Sequence, residues 1–475
     1  EYALRGGRIY MDAIDNSAGV DCSDHEVNIK ILLDAIVEAG DMTEKQRNEL
    51  LASMTDEVGD LVLRDNYQQT QAISQALALA YPMVDVHARY IHALEHEGRL
   101  DRGLEFLPDD EELGERRSEN KGLTAPELAI LLSYSKITTY QDLLNSDAPE
   151  DPFLSQELER YFPAPLRERF SEQLHEHRLH RQITATHVTN GLVNRNGPSF
   201  VFRLGEETGA AAPDIARAYT VAREIFDMRT LWDGIEALDN TVEASVQTRI
   251  MLDARKLVER ATRWLLRYRR PPLDIGATIS HFSEGAAELS ERIPGILLDG
   301  DREAVANAAQ RLIDANVPPD LAKRAANLGP MFSALDITDV ANSTGESLDT
   351  TAAVYFILGD RLRLHWLRRH IEALPRDNRW RTLARSALRD DIYNQQAALA
   401  AEVLSDTPDD KPVDERIEAW VEANEGPAER TLQVLTDINS SGTFDLSTLS
   451  VALREIRNLI TTPEAPPEEV GAAAR

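Results

Sequence analysis

The sequence predicts a mainly α-helical protein that opens on a short strand–turn–helix. Three observations carry this reading. Apolar residues recur three and four apart through most of residues 41–460, helix start and stop signals punctuate them, and only the first forty residues break the pattern. Residues 8–14 (Arg-Ile-Tyr-Met-Asp-Ala-Ile) have strand composition, Asp15-Asn-Ser-Ala-Gly19 reads as a tight turn, and residues 23–39 read as an amphipathic helix. No later segment offers a second strand. A lone strand leaves its backbone donors and acceptors unpaired, so its sheet partners are expected outside these residues. The chain therefore reads as the C-terminal portion of a larger enzyme: 1–40 the end of an α/β domain, 41–460 an all-α domain subdivided near 270–300, and 461–475 a disordered tail.

The helical elements follow in order. Residues 43–54 and 55–81 carry the helical period, with Leu61, Leu63, Ile73, Leu77 and Leu79 among the apolar positions, and 84–94 continue it after Pro82. Residues 107–121 are charged and aperiodic, which predicts a solvated linker. Thr124-Ala-Pro-Glu127 has the form of a capping box ahead of the apolar run 128–132, a strong helix start. Further helices are predicted at 164–176, 179–193, 214–226 and 243–269, the last stopped by Pro271-Pro272, and then at 301–316, 349–373, 379–404, 413–423 and 446–460. No fixed repeat period points to a solenoid.

Composition narrows the function classes. The net charge of −30 argues against nucleic acid or an anionic membrane as partner, because both would repel such a surface. The longest apolar runs, 76–81 and 125–132, fall short of the ~20 residues that span a bilayer. Cys22 is the only cysteine, so an intrachain disulfide is excluded, and a reducing, cytoplasmic setting is expected.

The candidate chemistry gathers at the predicted turn. Small residues between Asp15 and Val20 would let a ligand approach the backbone at the carboxyl edge of a strand, and Asn16 offers both a donor and an acceptor; an ordinary turn explains the same residues. Ser23 is predicted to cap the following helix, with Glu26 completing a capping box. Its hydroxyl can accept from the backbone and still donate to a bound carboxylate, although Asp21, Asp24 and Glu26 would oppose that anion unless a lysine or arginine comes from elsewhere. Cys22, Asp24, His25 and Glu26 cannot all converge on one metal ion once a helix begins. His175, His177, His180 and His187 form the densest histidine group, read as a solvated helix face with a zinc site as the alternative. The chain contains no G-x-G-x-x-G, no G-x-x-x-x-G-K-[ST] and no G-x-S-x-G.

At Asp15-Asn-Ser-Ala-Gly-Val-Asp-Cys-Ser-Asp-His-Glu-Val-Asn-Ile-Lys30 the sequence resembles the large bacterial NAD-specific glutamate dehydrogenases. Matching stretches extend along the chain: Glu105-Phe-Leu-Pro108, Gly122-Leu-Thr-Ala-Pro-Glu-Leu128, Tyr161-Phe-Pro-Ala-Pro-Leu166, Val193-Asn-Arg-Asn-Gly-Pro-Ser-Phe-Val-Phe-Arg203, Glu206-Glu-Thr-Gly209 and Arg260-Ala-Thr-Arg-Trp-Leu-Leu266. The resemblance implies that residues 1–40 are the remnant of a dinucleotide-binding (Rossmann-like) catalytic domain, followed by the family's helical C-terminal domain. It also implies NAD as cofactor, L-glutamate and 2-oxoglutarate as substrate and product, the N-terminal part of the same protein as partner, and a homo-oligomer.

The small hexameric glutamate dehydrogenases carry a similar segment, Asn-Ala-Gly-Gly-Val-Thr-Val-Ser. Laid on it without gaps, Asn16, Gly19, Val20 and Ser23 match, while Ser17, Ala18, Asp21 and Cys22 depart. The match implies that Asn16 and Gly19 lie at the cofactor and that Val20 and Ser23 line the glutamate pocket. The family's catalytic lysine and aspartate and its glycine-rich turn have no counterpart here, so these residues alone are expected to be inactive. The alternative reading is a non-catalytic helical module that joins subunits.

Overall fold

A computed structural model describes residues 1–376 and 378–460. The tail predicted to be disordered, 461–475, lies outside the described residues. No strand is present among the described residues, and none of their helices is long and apolar enough to cross a membrane. The chain forms two compact units, Glu1–Glu284 with Ala308–Gly329, and Gly285–Asn307 with the described residues from Pro330 onward.

Eight helices of the first unit matter to the site: α1 (Ser17–Glu38), α2 (Thr55–Ala78), α3 (Ala125–Leu144), α4 (Glu157–Tyr161), α5 (His180–Asn196), α6 (Ala212–Ile225), α7 (Met228–Glu236) and α8 (Ala244–Tyr268). The core beside α1 is apolar and contiguous. Ile29, Leu32, Leu33 and Ile36 pack with Leu158, Phe162, Leu166, Phe170, Leu174 and Ile183, all nine-tenths or more buried. Deeper in the unit the helices carry charge. Arg203 forks onto Glu259 at 2.6 and 2.5 Å, and Arg263 reaches Glu207 at 2.6 Å and Glu259 at 3.1 Å. Paired guanidiniums of this kind are tolerated inside because each charge meets an opposite one.

The amino end corrects the strand–turn–helix expectation. Residues 8–11 carry no regular structure, Asp12–Asp15 form a single helical turn, and α1 starts at Ser17 instead of residue 23. With no strand alongside, the segment satisfies its backbone locally: Ile14 N donates to Met11 O at 2.9 Å and Asn16 N to Asp12 O at 3.0 Å. Asn66 of α2 donates to Ile14 O at 2.8 Å and to Ser17 Oγ at 3.1 Å, which ties the entry to the second helix.

The linker predicted at 107–121 contains a helix, Asp110–Ser118. It is held by charge, not by an apolar stripe. Asp109 caps it, accepting from Glu112 N at 2.8 Å, and Arg116 forks onto Glu127 at 2.7 and 2.9 Å. Glu127 also completes the capping box foreseen at Thr124, accepting from Thr124 N at 2.6 Å. Gly122 is needed for space, since a Cβ there would sit 2.2 Å from the Ala80 backbone.

In the second unit Ser333–Thr344 and Leu348–Arg361 pack on the long helix Arg379–Asp406. The helix predicted over 349–373 is interrupted at Arg363 (φ 53°) and resumes as Leu364–Ala373. Arg416, 1% exposed, donates to Glu346 at 2.7 Å, Thr407 Oγ1 at 2.9 Å and Leu404 O at 2.7 Å, closing that unit's interior.

Candidate functional site

Helix α1 has two unlike long faces. Asn16 at its N-cap, then Gly19, Val20 and Ser23, recur three and four apart and share one stripe, continued by Val27. All five are exposed, Val20 at 74%, and a Cβ on Gly19 would meet nothing within 4 Å. The sequence-predicted site residues thus form one open surface rather than a pocket among the described residues. Ser23 lies more than a turn inside α1 and caps nothing. Its hydroxyl donates to Gly19 O at a long 3.3 Å, and Glu26 pairs with Lys30 at 2.5 Å, so the predicted capping box does not form. The favourable field of a helix N-terminus falls off within the first turn, so it does not assist an anion at Ser23.

The opposite face is buried and polar near the start of the helix. His25 is 2% exposed and stacks on Tyr161, with ring centroids 4.2 Å apart and planes 16° from parallel. Tyr161 Oη donates to Asp24 Oδ2 and accepts from Asn28 Nδ2, both at 2.9 Å. Asp21, His25 and Asp65 of α2 each place a ligand atom within 4.8 Å of the others, the geometry of a candidate cation site. A cation is already supplied by Lys136 of α3. Burial, with Asp65 and Asp24 adding to it, pushes Asp21 up to about 7 against the opposing charge of Lys136. Burial pushes Lys136 down to about 8, against the pull of Asp65 and Asp21. The His25 imidazole is likewise lowered by burial, which Asp65 and Asp24 resist.

The histidines of the predicted zinc alternative do not converge. His177 precedes α5, donates from Nε2 to Asn28 O at 3.0 Å and accepts from Leu179 N at Nδ1 at 3.1 Å, which fixes it as a neutral structural ring. His180 Nδ1 donates to His177 O at 2.9 Å, whereas His187 lies 3.2 Å from Glu157.

Beyond His25 and Asp65 opens a cavity of about 680 Å3, walled by α1, α2 and α4 to α7. Six arginines line it: Arg64, Arg160, Arg167, Arg195, Arg223 and Arg229. Arg195 lies over the Trp232 ring at 4.6 Å and donates to Glu236 at 2.6 Å, and Arg64 reaches Glu236 and Asp233 at 3.1 and 3.2 Å. Glu157 accepts from Arg223 at 2.7 Å and Arg229 at 2.6 Å. Burial alone would raise the Glu157 carboxyl; Arg223, His187 and Arg229 together hold it well below the usual range. Sequence reasoning missed this wall. The available signal was Arg223 on the same helical face as the buried Ala216 and Tyr219, where a charge requires a partner.

Comparison with known proteins places these parts. The family described as "Glutamate dehydrogenase, C-terminal" matches residues 120–458. The chain belongs to this glutamate dehydrogenase family. Residues 1–76 match a second family, "Bacterial NAD-glutamate dehydrogenase, catalytic domain". Proteins named NAD-specific glutamate dehydrogenase are 44% identical over 459 residues in Halomonas elongata, 43% over 459 in Pseudomonas aeruginosa and 40% over 462 in Mycobacterium tuberculosis. Each alignment covers 97% of this chain and 28% of the relative, so the chain spans little more than a quarter of their length. The exposed stripe of α1 lies in the region matching the catalytic-domain family. The cavity draws on both regions, with His25, Arg64 and Asp65 from the first and the α4–α7 wall from the second.

Proposed function

We propose that this chain serves in an NAD-dependent glutamate dehydrogenase, which converts L-glutamate, NAD and water to 2-oxoglutarate, ammonia and NADH. The observation that carries the reading is the stripe Asn16, Gly19, Val20 and Ser23. Four residues with the polarity and size expected at a cofactor–substrate boundary share one exposed helical face, in the region that matches a catalytic-domain family. Binding by that face needs the rest of the enzyme to close over it, with its catalytic lysine and aspartate supplied from outside these residues.

The residues present suit that boundary. Gly19 leaves room for a flat ring to approach the backbone, and Asn16 offers a donor and an acceptor to the nicotinamide ribose. NAD, when bound, accepts the hydride. Val20 would pack on the glutamate methylenes and fix Cα against the cofactor, and Ser23 would turn its hydroxyl from Gly19 O to a substrate carboxylate. That rotation gives up only a weak 3.3 Å bond. Excluding water from the stripe on closure would strengthen the Ser23 interaction. The test is glutamate-dependent formation of NADH by the full-length gene product, followed in absorbance. Turnover with NAD is the expected result; absence of turnover with any nicotinamide cofactor would refute the reading.

A further inference from the structure

The arginine-lined cavity behind α1 holds loosely paired guanidiniums that the dehydrogenase reading does not use. Its wall carries six arginines and four carboxylates, Asp65, Glu157, Asp233 and Glu236, and Glu57 and Glu224 reach Arg167, Arg223 and Arg229 from outside the lining. The arginines divide into two groups. Arg64 and Arg195 are committed to Asp233 and Glu236 at one end. At the other end a single carboxylate is shared. Glu157 faces Arg223 at 2.7 Å, Arg229 at 2.6 Å, His187 at 3.2 Å and Arg160 at 3.8 Å; Glu224 adds to it, at 2.6 Å from Arg223 and 3.4 Å from Arg229, and Glu57 stands 3.7 Å from Arg167.

Two of these guanidiniums have donors to spare. Arg160 meets Glu157 only at 3.8 Å, and Arg167 meets Glu57 only at 3.7 Å while that same carboxylate accepts from Ala164 N at 2.7 Å. A guanidinium offers five N–H groups in a planar fork suited to phosphate or carboxylate oxygens. Like charges crowded around one carboxylate repel, and an added anion removes that cost. Arg229 registers the crowding: burial and the neighbouring Arg223 lower its guanidinium from the ordinary value. The volume, about 680 Å3, matches a small metabolite rather than a macromolecule.

We propose that this cavity binds a small molecule carrying at least two anionic groups, phosphate or carboxylate, seated on Arg160, Arg167 and Arg229. Such a ligand bridges the regions matching the two families, because the arginines stand on or beside α4 and α7 while His25 and Asp65 line the same cavity from α1 and α2.

The experiment is isothermal titration of the intact protein at constant ionic strength with inorganic pyrophosphate and, separately, with malonate. Saturable binding of one or both, with Kd below about 1 mM, is expected, and the tighter probe assigns the chemistry to phosphate or to carboxylate. The double variant Arg160→Gln/Arg229→Gln should weaken that binding at least about tenfold, while Arg5→Gln, at a side chain 82% exposed, leaves it unchanged. Arg167→Gln alone, a half-buried position whose loss removes no hydrogen bond to a carboxylate, should weaken it about threefold or more and guards against misfolding of the double variant. No heat with either probe at about 10 mM, or binding that all three arginine substitutions leave intact, would overturn the proposal.

Discussion

The two faces of α1 do different work with the same backbone. On the inner face Ile29, Leu32, Leu33 and Ile36 are almost fully buried against one contiguous apolar core. On the outer face Asn16, Gly19, Val20 and Ser23 are exposed and make one weak side-chain hydrogen bond among them, from Ser23 to Gly19 O. Burial constrains the first set through packing density, which punishes the loss of even a methylene. The first unit's packing leaves the second set open to solvent, and the proposed cofactor and substrate contacts would cover it. On the proposed reading, the contrast separates positions that anchor the helix from positions that meet cofactor and substrate.

Four substitutions or measurements probe that contrast, in descending order of effect. Leu33→Ala on the inner face should cost about 2–5 kcal/mol of unfolding free energy by urea denaturation, since the side chain is fully buried and the helices around it cannot collapse into the space. A loss near zero would mean that α1 is not anchored as described. Asp21→Asn tests the polar part of the inner face. A carboxyl whose folded value is raised to about 7 stabilises below its unfolded value and loses that contribution as pH climbs from about 4 to 7. The variant lacks this loss, so it should gain on the wild type by on the order of 1–2 kcal/mol between pH 4 and 8 after allowance for solvent screening. Parallel stability curves would remove Asp21 from the cluster with Asp65, Asp24, His25 and Lys136. On the outer face Ser23→Ala should change stability by no more than about 0.5 kcal/mol, because the lost bond is long and exposed. Smallest of all, modification of the exposed Cys22 by a thiol reagent should proceed without denaturant and leave the melting temperature unmoved; a requirement for unfolding would place it inside.

How much of this was legible beforehand follows from which forces act locally. The helical period of 55–81 and the capping box at Thr124 rest on near neighbours, and both appear, as α2 and as the start of α3. The strand expected at 8–14 failed because Ile9, Tyr10 and Ile14 state a composition, not a partner, and the backbone found its bonds within a helical turn. Asn16, Ser17 and Gly19 read as turn formers, yet α1 runs from Ser17 through Gly19 because its buried face from His25 to Ile36 repays the weak propensity at its start. The helix Asp110–Ser118 was hidden because Arg116 and Glu127 hold it by charge, which leaves no apolar period to find. The cavity was out of reach for a different reason: Asp65, Glu157 and Arg223 meet only after α2, α4 and α6 have packed, and no spacing in the chain encodes that meeting.

The most direct test of the outer face is steady-state kinetics of the proposed dehydrogenase, as the full-length gene product, carrying Ser23→Ala. The account predicts that KM for glutamate rises at least several fold while the melting curve stays in place. An unchanged kcat/KM for glutamate would contradict it and return Ser23 to the status of an ordinary surface residue.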